Sequence, residues 1–169
     1  MKIIDYNGTG RWSLQSIQER YATYARQLDV TAPLNLVPPR YTQHEVERIY
    51  PVMFEVIEGI EQGDKACIEI GVECIEENQW LSFGRIIKAN TARALRRSTL
   101  TPLQTERLRK QIVSMLLDEH IPGHYREYSK LLRKIGLGNW WSLIKKQANC
   151  NNPYVLRYYN YFQQYARRE

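Results

Sequence analysis

The chain has 169 residues, of which 43% are hydrophobic and 25% are charged, with a formal net charge of +6. This composition supplies a core and excludes wholesale disorder, and three cysteines in a chain of this length exclude a disulfide framework. Residues 1–12 lack the apolar run of a signal peptide, and the longest apolar run, near residues 112–117, is far shorter than the ~20 residues of a membrane span. The sequence therefore predicts a cytoplasmic protein that contacts no membrane.

The first forty residues predict one helix and one connector. Apolar side chains of residues 13–28 fall on one face at helical spacing, which predicts a first helix. Residues 31–40 contain three prolines and cannot continue that helix, so they predict an extended connector.

A second helix is predicted to begin at Thr42, because Glu45 takes the capping-box position three residues later. Pro51 lies inside this pattern and should kink or split the helix. Asp64 should then cap a third helix. The carboxylates of that helix predict a solvated acidic face: Glu69, Glu73, Glu76 and Glu77.

Helical signals continue to the end of the chain. Thr101 and Gln104 match a capping box, with Pro102 at the first helical position. This half contains five predicted helices. The fourth helix of the chain spans residues 83–97, the fifth begins at residue 102, and the sixth runs from after residue 123 to Gly136. The seventh begins at Asn139 and the eighth at Asn152. The prediction is an all-α fold of about eight helices in a single domain, residues 1–169.

Two segments have the length of a helical hairpin, residues 42–77 and residues 101–136. Two short stretches carry a family resemblance: Gly63-Asp64-Lys65-Ala66 and, after it, Ala92-Arg93-Ala94-Leu95. They resemble the second halves of HEAT-like repeats, and the resemblance covers about residues 42–136. The resemblance implies stacked helical hairpins that form a curved binding surface. A compact helical bundle is the alternative architecture.

Charge is divided unevenly along the chain. Residues 1–80 carry 7 Lys and Arg against 13 Asp and Glu, whereas residues 81–169 carry 17 against 5. A basic half of this kind favours a polyanionic partner, above all nucleic acid. Between residues 81 and 117 the only acidic residue is Glu106, whereas an ordinary solvated surface mixes both signs.

Two of the predicted helices carry cations on one face. In residues 83–97 the predicted inner face consists of Phe83, Ile86, Ile87, Asn90 and Ala94. Cations lie on the opposite face of this helix and on the outer face of the predicted helix that ends at Gly136. We predict that these six residues bind nucleic acid: Arg85, Lys88, Arg96, Arg126, Lys130 and Arg133. An ordinary solvated surface is the alternative interpretation.

The last helix carries a seam of four tyrosines at helical spacing: Tyr154, Tyr158, Tyr161 and Tyr165. Such a seam is typical of a core boundary, where rings are buried and hydroxyls stay hydrated. The alternatives are a protein interface and a platform on which bases stack. Under the interface interpretation, these four tyrosines form the contact with the partner.

Signatures of catalysis are absent from the sequence. A glycine-rich phosphate loop, a GxSxG elbow and a CxxC pair do not occur. His120 and His124 have the spacing of a helical metal pair, but Pro122 and Gly123 lie between them and should break the helix. The sequence therefore predicts no catalytic residue, no cofactor and no metal. A small hydrolase or a metal enzyme is the third class, and it rests only on His120 and His124.

The prediction is a non-enzymatic helical module that binds nucleic acid through its basic half, as part of a larger assembly. DNA and RNA are not distinguished. The alternative is a protein-interaction module that uses the acidic half or the tyrosine seam.

Overall fold

The computed structural model describes residues 1–166 as eight α-helices and a small three-stranded sheet. The chain divides into two compact units, residues 1–99 and residues 100–169. The fold is thus largely helical, as predicted, but the all-α class is wrong in its strict form because strands are present. The prediction of a single domain stays a prediction.

The first unit combines the sheet with four helices. Its elements are β1 (Lys2–Asp5), α1 (Leu14–Gln27), β2 (Arg40–Gln43), β3 (Val46–Ile49), α2 (Met53–Glu61), α3 (Lys65–Glu77) and α4 (Gly84–Arg96). A short 3₁₀ helix, Gly10–Trp12, precedes α1. Helix α1 packs on α3, while α2, α3 and α4 pack on one another, so the core lies among these four helices.

Local capping explains where two of these helices begin. The Ser13 hydroxyl accepts the backbone N–H of Ser16 at 3.2 Å, and α1 starts at the next residue. The Asp64 carboxylate accepts the N–H of Cys67 at 2.9 Å, as predicted for the start of α3. In each case a side-chain oxygen satisfies a donor that the first helical turn leaves without an intrahelical acceptor.

The helix predicted from Thr42 is wrong, because residues 40–49 form a β-hairpin. Strands β2 and β3 are antiparallel, and β1 pairs with β3 in parallel, which gives the order β1-β3-β2. His44 and Glu45 connect the strands with φ values of 47° and 58°, and positive φ at both central residues suits a two-residue hairpin loop. A helix through this segment would contain Pro51 in its interior, at a cost of about 3 kcal/mol.

The second unit contains the other four helices. They are α5 (Pro102–Leu117), α6 (Tyr125–Ile135), α7 (Trp140–Gln147) and α8 (Pro153–Ala166). The predicted capping box is confirmed: Thr101 Oγ1 accepts the N–H of Gln104 at 3.2 Å, and Gln104 Oε1 accepts the N–H of Thr101 at 3.0 Å. Helix α5 contacts α6, α7 and α8, and α6 also contacts α8.

Hydrogen bonds to α5 hold both ends of α6. Arg109 donates to the carbonyl oxygens of Ile135 and Gly136 at 2.6 and 2.7 Å, at the end of the helix. The hydroxyl of Tyr125, in the first turn, donates to the carbonyl of Ile112 at 2.8 Å. These bonds satisfy polar groups that would otherwise lack partners, so α6 is anchored to α5.

The division into two units redistributes the charge. Residues 1–99 carry 12 Lys and Arg with 13 Asp and Glu, a net charge of −1. Residues 100–169 carry 12 against 5, a net charge of +7. The boundary does not follow the change of sign after residue 80, because the cations of α4 belong to the first unit. The excess positive charge therefore belongs to the second unit.

Candidate nucleic-acid interface

Helix α4 does not present the cationic face that its sequence predicts. Arg85 is exposed, but Lys88 is only 7% exposed, and its ammonium group donates to Asn78 Oδ1 at 3.0 Å. Burial lowers the pKa of Lys88. Arg96 is half-buried and interacts with other groups. The prediction that Lys88 lies outward is wrong, and α4 carries no continuous row of cations.

The reason is that α4 packs against two neighbours, α2 and α3. Its buried arc includes Ile87, Thr91 and Leu95, and extends to Lys88. Ile86, predicted to be internal, is exposed instead. Apolar periodicity therefore predicts correctly that α4 has a buried face, but the buried face is rotated about the helix axis relative to the prediction, away from Ile86 and toward Lys88.

The acidic face predicted for α3 is also wrong at Glu73, which is only 5% exposed. Its carboxylate forms ion pairs with Arg20 and with Arg11, the latter at 3.1 Å, and accepts the hydroxyl of Tyr24. Burial, and the hydrogen bond to Glu73, raise the pKa of Tyr24. Glu73 thus joins α1 to α3 and is not a solvated charge.

The clearest concentration of predicted residues lies in the second unit, where α6 and α8 form a groove of about 360 Å³. Its lining combines three cations with tyrosine rings, amides and a hydroxyl: Arg126, Ser129, Lys130, Arg157, Tyr158, Asn160, Tyr161 and Gln164. No carboxylate belongs to this lining within the part of the chain that the structure describes. The groove can therefore accept an anion that carries a planar group.

Helical spacing explains how the two walls arise. On α6 the lining residues lie at intervals of three and four, beside the inner face formed by the buried residues Tyr125, Tyr128, Leu131 and Leu132. On α8, residues 157, 160, 161 and 164 follow the same spacing, beside the buried Val155 and Phe162. Contact between the two helices brings these two polar stripes together.

Two arginines define the charge of the groove. Arg126 on α6 and Arg157 on α8 are both exposed, and neither has an ion-pair partner within residues 1–166. The guanidinium of Arg157 lies 5.7 Å from the ring centre of Tyr158. Burial raises the pKa of Tyr158, and the charges of Arg157 and Arg126 oppose that rise. Both cations therefore act on Tyr158, which lines the groove.

The other two predicted cations of α6 are held more firmly. Lys130 Nζ lies 3.3 Å from Glu127 Oε1, so its charge is partly neutralised. Arg133 donates to the Tyr165 hydroxyl at 3.0 Å, and its guanidinium lies 4.8 Å from the ring centre of Tyr165. Arg133 thus continues the cationic stripe one turn beyond Lys130 and does not line the groove.

The candidate tyrosine interface does not form one exposed seam. Tyr154 is 65% exposed, whereas Tyr158 is buried edge-on against Tyr125, with ring centres 4.8 Å apart. Tyr161 and Tyr165 are half-buried and contact each other at 5.1 Å. Tyr158 and Tyr161 line the groove, while Tyr154 and Tyr165 do not, so the four residues have different environments.

The two histidines do not share one helix. His120 is exposed after the end of α5, and His124 is buried at the start of α6, edge-on to Tyr128 with ring centres 5.0 Å apart. The predicted break between them is confirmed. No group of three or more His, Cys, Asp or Glu side chains suited to a metal ion occurs within residues 1–166.

A larger groove of about 650 Å³ lies in the first unit, between α1 and the connector that follows it. Gln18 donates to the carbonyl of Leu36, and the N–H of Leu34 donates to the Tyr21 hydroxyl, so the connector is tied to α1. Its lining contains Arg26 and Asp29, one charge of each sign. This groove contains none of the residues predicted to bind nucleic acid.

Sequence reasoning missed Arg157, Asn160 and Gln164. Their spacing along α8, at positions i, i+3 and i+7, was a readable signal. The same helix also carries the tyrosine seam, and the seam indicates an apolar interface instead.

No helix of the described chain combines the length and the apolar character that crossing a membrane requires. Comparison with protein-family models, with curated proteins and with solved structures finds no match. The resemblance to HEAT-like repeats therefore stays a prediction.

Proposed function

We propose that this protein is a non-enzymatic, cytoplasmic module that binds nucleic acid through the groove between α6 and α8, as part of a larger assembly. The supporting observation is that Arg126, Lys130 and Arg157 line one groove to which the described chain adds no carboxylate. The net charge of +7 on residues 100–169 attracts a polyanion to this unit.

The physical basis is the neutralisation of phosphates, which releases bound counterions. Three cations in the groove, with Arg133 beside them, give an expected slope of log K against log salt of about −2 to −4. Contacts to phosphate position a strand without reading its sequence. We therefore expect affinity that depends strongly on salt and weakly on sequence.

The test compares two double variants that change the net charge equally. Arg126→Glu with Arg157→Glu reverses two cations of the groove, and Lys145→Glu with Lys146→Glu reverses two exposed cations of α7. Binding of fluorescent oligonucleotides is measured by anisotropy from low to physiological salt. The groove variant should lose at least about ten-fold in affinity, because each lost phosphate contact also becomes a repulsion, and the salt slope should flatten.

The α7 variant should lose much less affinity. An equal loss in the two variants would show that net charge, and not the groove, governs binding. Absence of binding by the wild-type protein at low salt would contradict the proposed function.

A protein-interaction module is the second candidate, and exposed large apolar side chains of the first unit favour it. Trp80 is 84% exposed and Ile86 is also exposed, while Phe83 contacts the rings of Tyr6 and Tyr50. Tryptophan and tyrosine are enriched at protein interfaces. Under the first function, Trp80→Ser should leave the affinity for nucleic acid unchanged, and a loss as large as that of the groove variant would contradict it.

A further inference from the structure

We infer that the groove between α6 and α8 accepts single-stranded nucleic acid in preference to a duplex. This inference rests on the proposed function and specifies its ligand. Arg126 and Arg157 hold a phosphate, while Tyr161 and the amides of Asn160 and Gln164 contact the adjoining base.

The size of the groove favours a single strand over a duplex. Its volume of about 360 Å³ lies near the lower end of the ~300–1,000 Å³ typical of pockets that hold one small ligand. Residues 126–130 on α6 and 157–164 on α8 extend over at most about 10 Å of helix, at 1.5 Å per residue. This space accommodates about one nucleotide and is too small for the two strands of a duplex.

The groove is also concave. The sequence of a duplex is read by a helix or ribbon that protrudes into its major groove, whereas here the polar residues line a depression between two packed helices. The bases of a duplex are paired and stacked inside it, whereas those of a single strand can turn toward the protein.

The lining contains amides and an aromatic ring in addition to its cations. Asn160 and Gln164 are exposed and lie one helical turn apart, and amide side chains pair with the edges of unpaired bases. Tyr161 supplies an aromatic ring to the same groove. Cations combined with aromatic rings are typical of sites for single strands, and a site for phosphate alone needs neither rings nor amides.

The experiment measures the affinity of the full chain for a 12-nucleotide single strand and for the matching duplex, each as DNA and as RNA. Inorganic polyphosphate serves as a probe of charge alone. We expect the single strand to bind at least about five-fold more tightly than the duplex, the lower limit for stacking of one base on an aromatic ring. Preference for single-stranded RNA or for single-stranded DNA supports the inference equally.

The variant Tyr161→Leu should weaken single-strand binding by about five-fold or more and leave polyphosphate binding unchanged. Tyr154→Leu is the matched control, because Tyr154 is exposed on the same helix outside the groove. Since Tyr161 also packs against Phe162, Asn160→Ala with Gln164→Ala provides a second test at exposed positions. This amide variant should also reduce the preference for the single strand.

Equal affinity for duplex and single strand, with both lowered by Arg126→Glu and Arg157→Glu, would overturn the inference and leave the proposed function standing. Unchanged single-strand binding in both the Tyr161 variant and the amide variant would also overturn it. Failure of wild-type protein to bind any of the nucleic acids would overturn the inference and the proposed function together.

Discussion

Replacing Glu73 by alanine should destabilise the first unit severely, because it leaves a buried cation without its partner. The side chain of Arg20 is 11% exposed and its guanidinium pairs with Glu73. Arg20 also donates to the carbonyl of Arg11 at 2.6 Å and lies 4.6 Å from the ring centre of Trp12. These contacts keep Arg20 from turning toward water when the carboxylate is removed.

The magnitude follows from the burial of each partner of Glu73. Breaking the buried pair with Arg20 costs about 3–5 kcal/mol. Arg11 is 48% exposed, so its pair adds about 1 kcal/mol at most, and the Tyr24 hydrogen bond adds about 1 kcal/mol. The Arg20 contribution dominates, and a loss of 3 kcal/mol or more corresponds to a fall in Tm of about 12 °C or more for a unit of this size.

The assay is thermal and urea unfolding by circular dichroism, with hydrogen exchange of peptides from α1 and α3 to assign the transition to the first unit. Glu58→Ala, at an exposed position on α2, is the control and should change stability by no more than about 0.5 kcal/mol. A loss below about 1 kcal/mol for Glu73→Ala would refute the reasoning, because Arg20 would then not depend on this carboxylate.

Three further predictions concern the cores of the two units. Burial and a hydrogen bond to Asp64 raise the pKa of Tyr21 to about 12. From pH 10 to 12 the unfolded chain therefore loses a proton that the folded chain keeps, and the free energy of unfolding should fall as pH rises. Urea unfolding at pH 9, 10 and 11 should show that this fall with pH is smaller for Tyr21→Phe. Leu131→Ala, at a fully buried position, should cost about 2–5 kcal/mol in the urea unfolding of the second unit. Gly59→Ala should cost about 1–3 kcal/mol in thermal unfolding, because the added methyl group would overlap the Cys67 thiol, and adding Cys67→Ala should restore part of the loss.

The elements that the sequence predicts correctly are those specified by local chemistry. Thr101 with Gln104, and Asp64 alone, mark helix starts through bonds to residues three positions away, so nearby residues suffice to recognise them. The hairpin at residues 40–49 is different. Its loop residues His44 and Glu45 adopt positive φ without the Asn-Gly or Asp-Gly signature of such loops, and the apolar spacing around it also fits a helix.

The candidate site was only partly predictable for a related reason. Arg126 and Lys130 were predicted correctly to share one polar stripe of their helix, because that stripe follows from the pattern of α6 alone. Lys88 was misplaced because the buried arc of α4 depends on which helices pack against it. Arg157 was missed because the groove needs a second helix, and periodicity within one helix does not identify its neighbour.

The measurement that tests the central claim most directly is an NMR titration of ¹⁵N-labelled protein with a 12-nucleotide single strand at low salt. Backbone amide and arginine Nε–H resonances report which part of the chain the ligand contacts. We expect shifts concentrated at residues 126–133 on α6 and 157–164 on α8, including the Nε–H signals of Arg126 and Arg157. Shifts centred on Arg85 and the rest of α4, or spread evenly over all exposed cations, would contradict it.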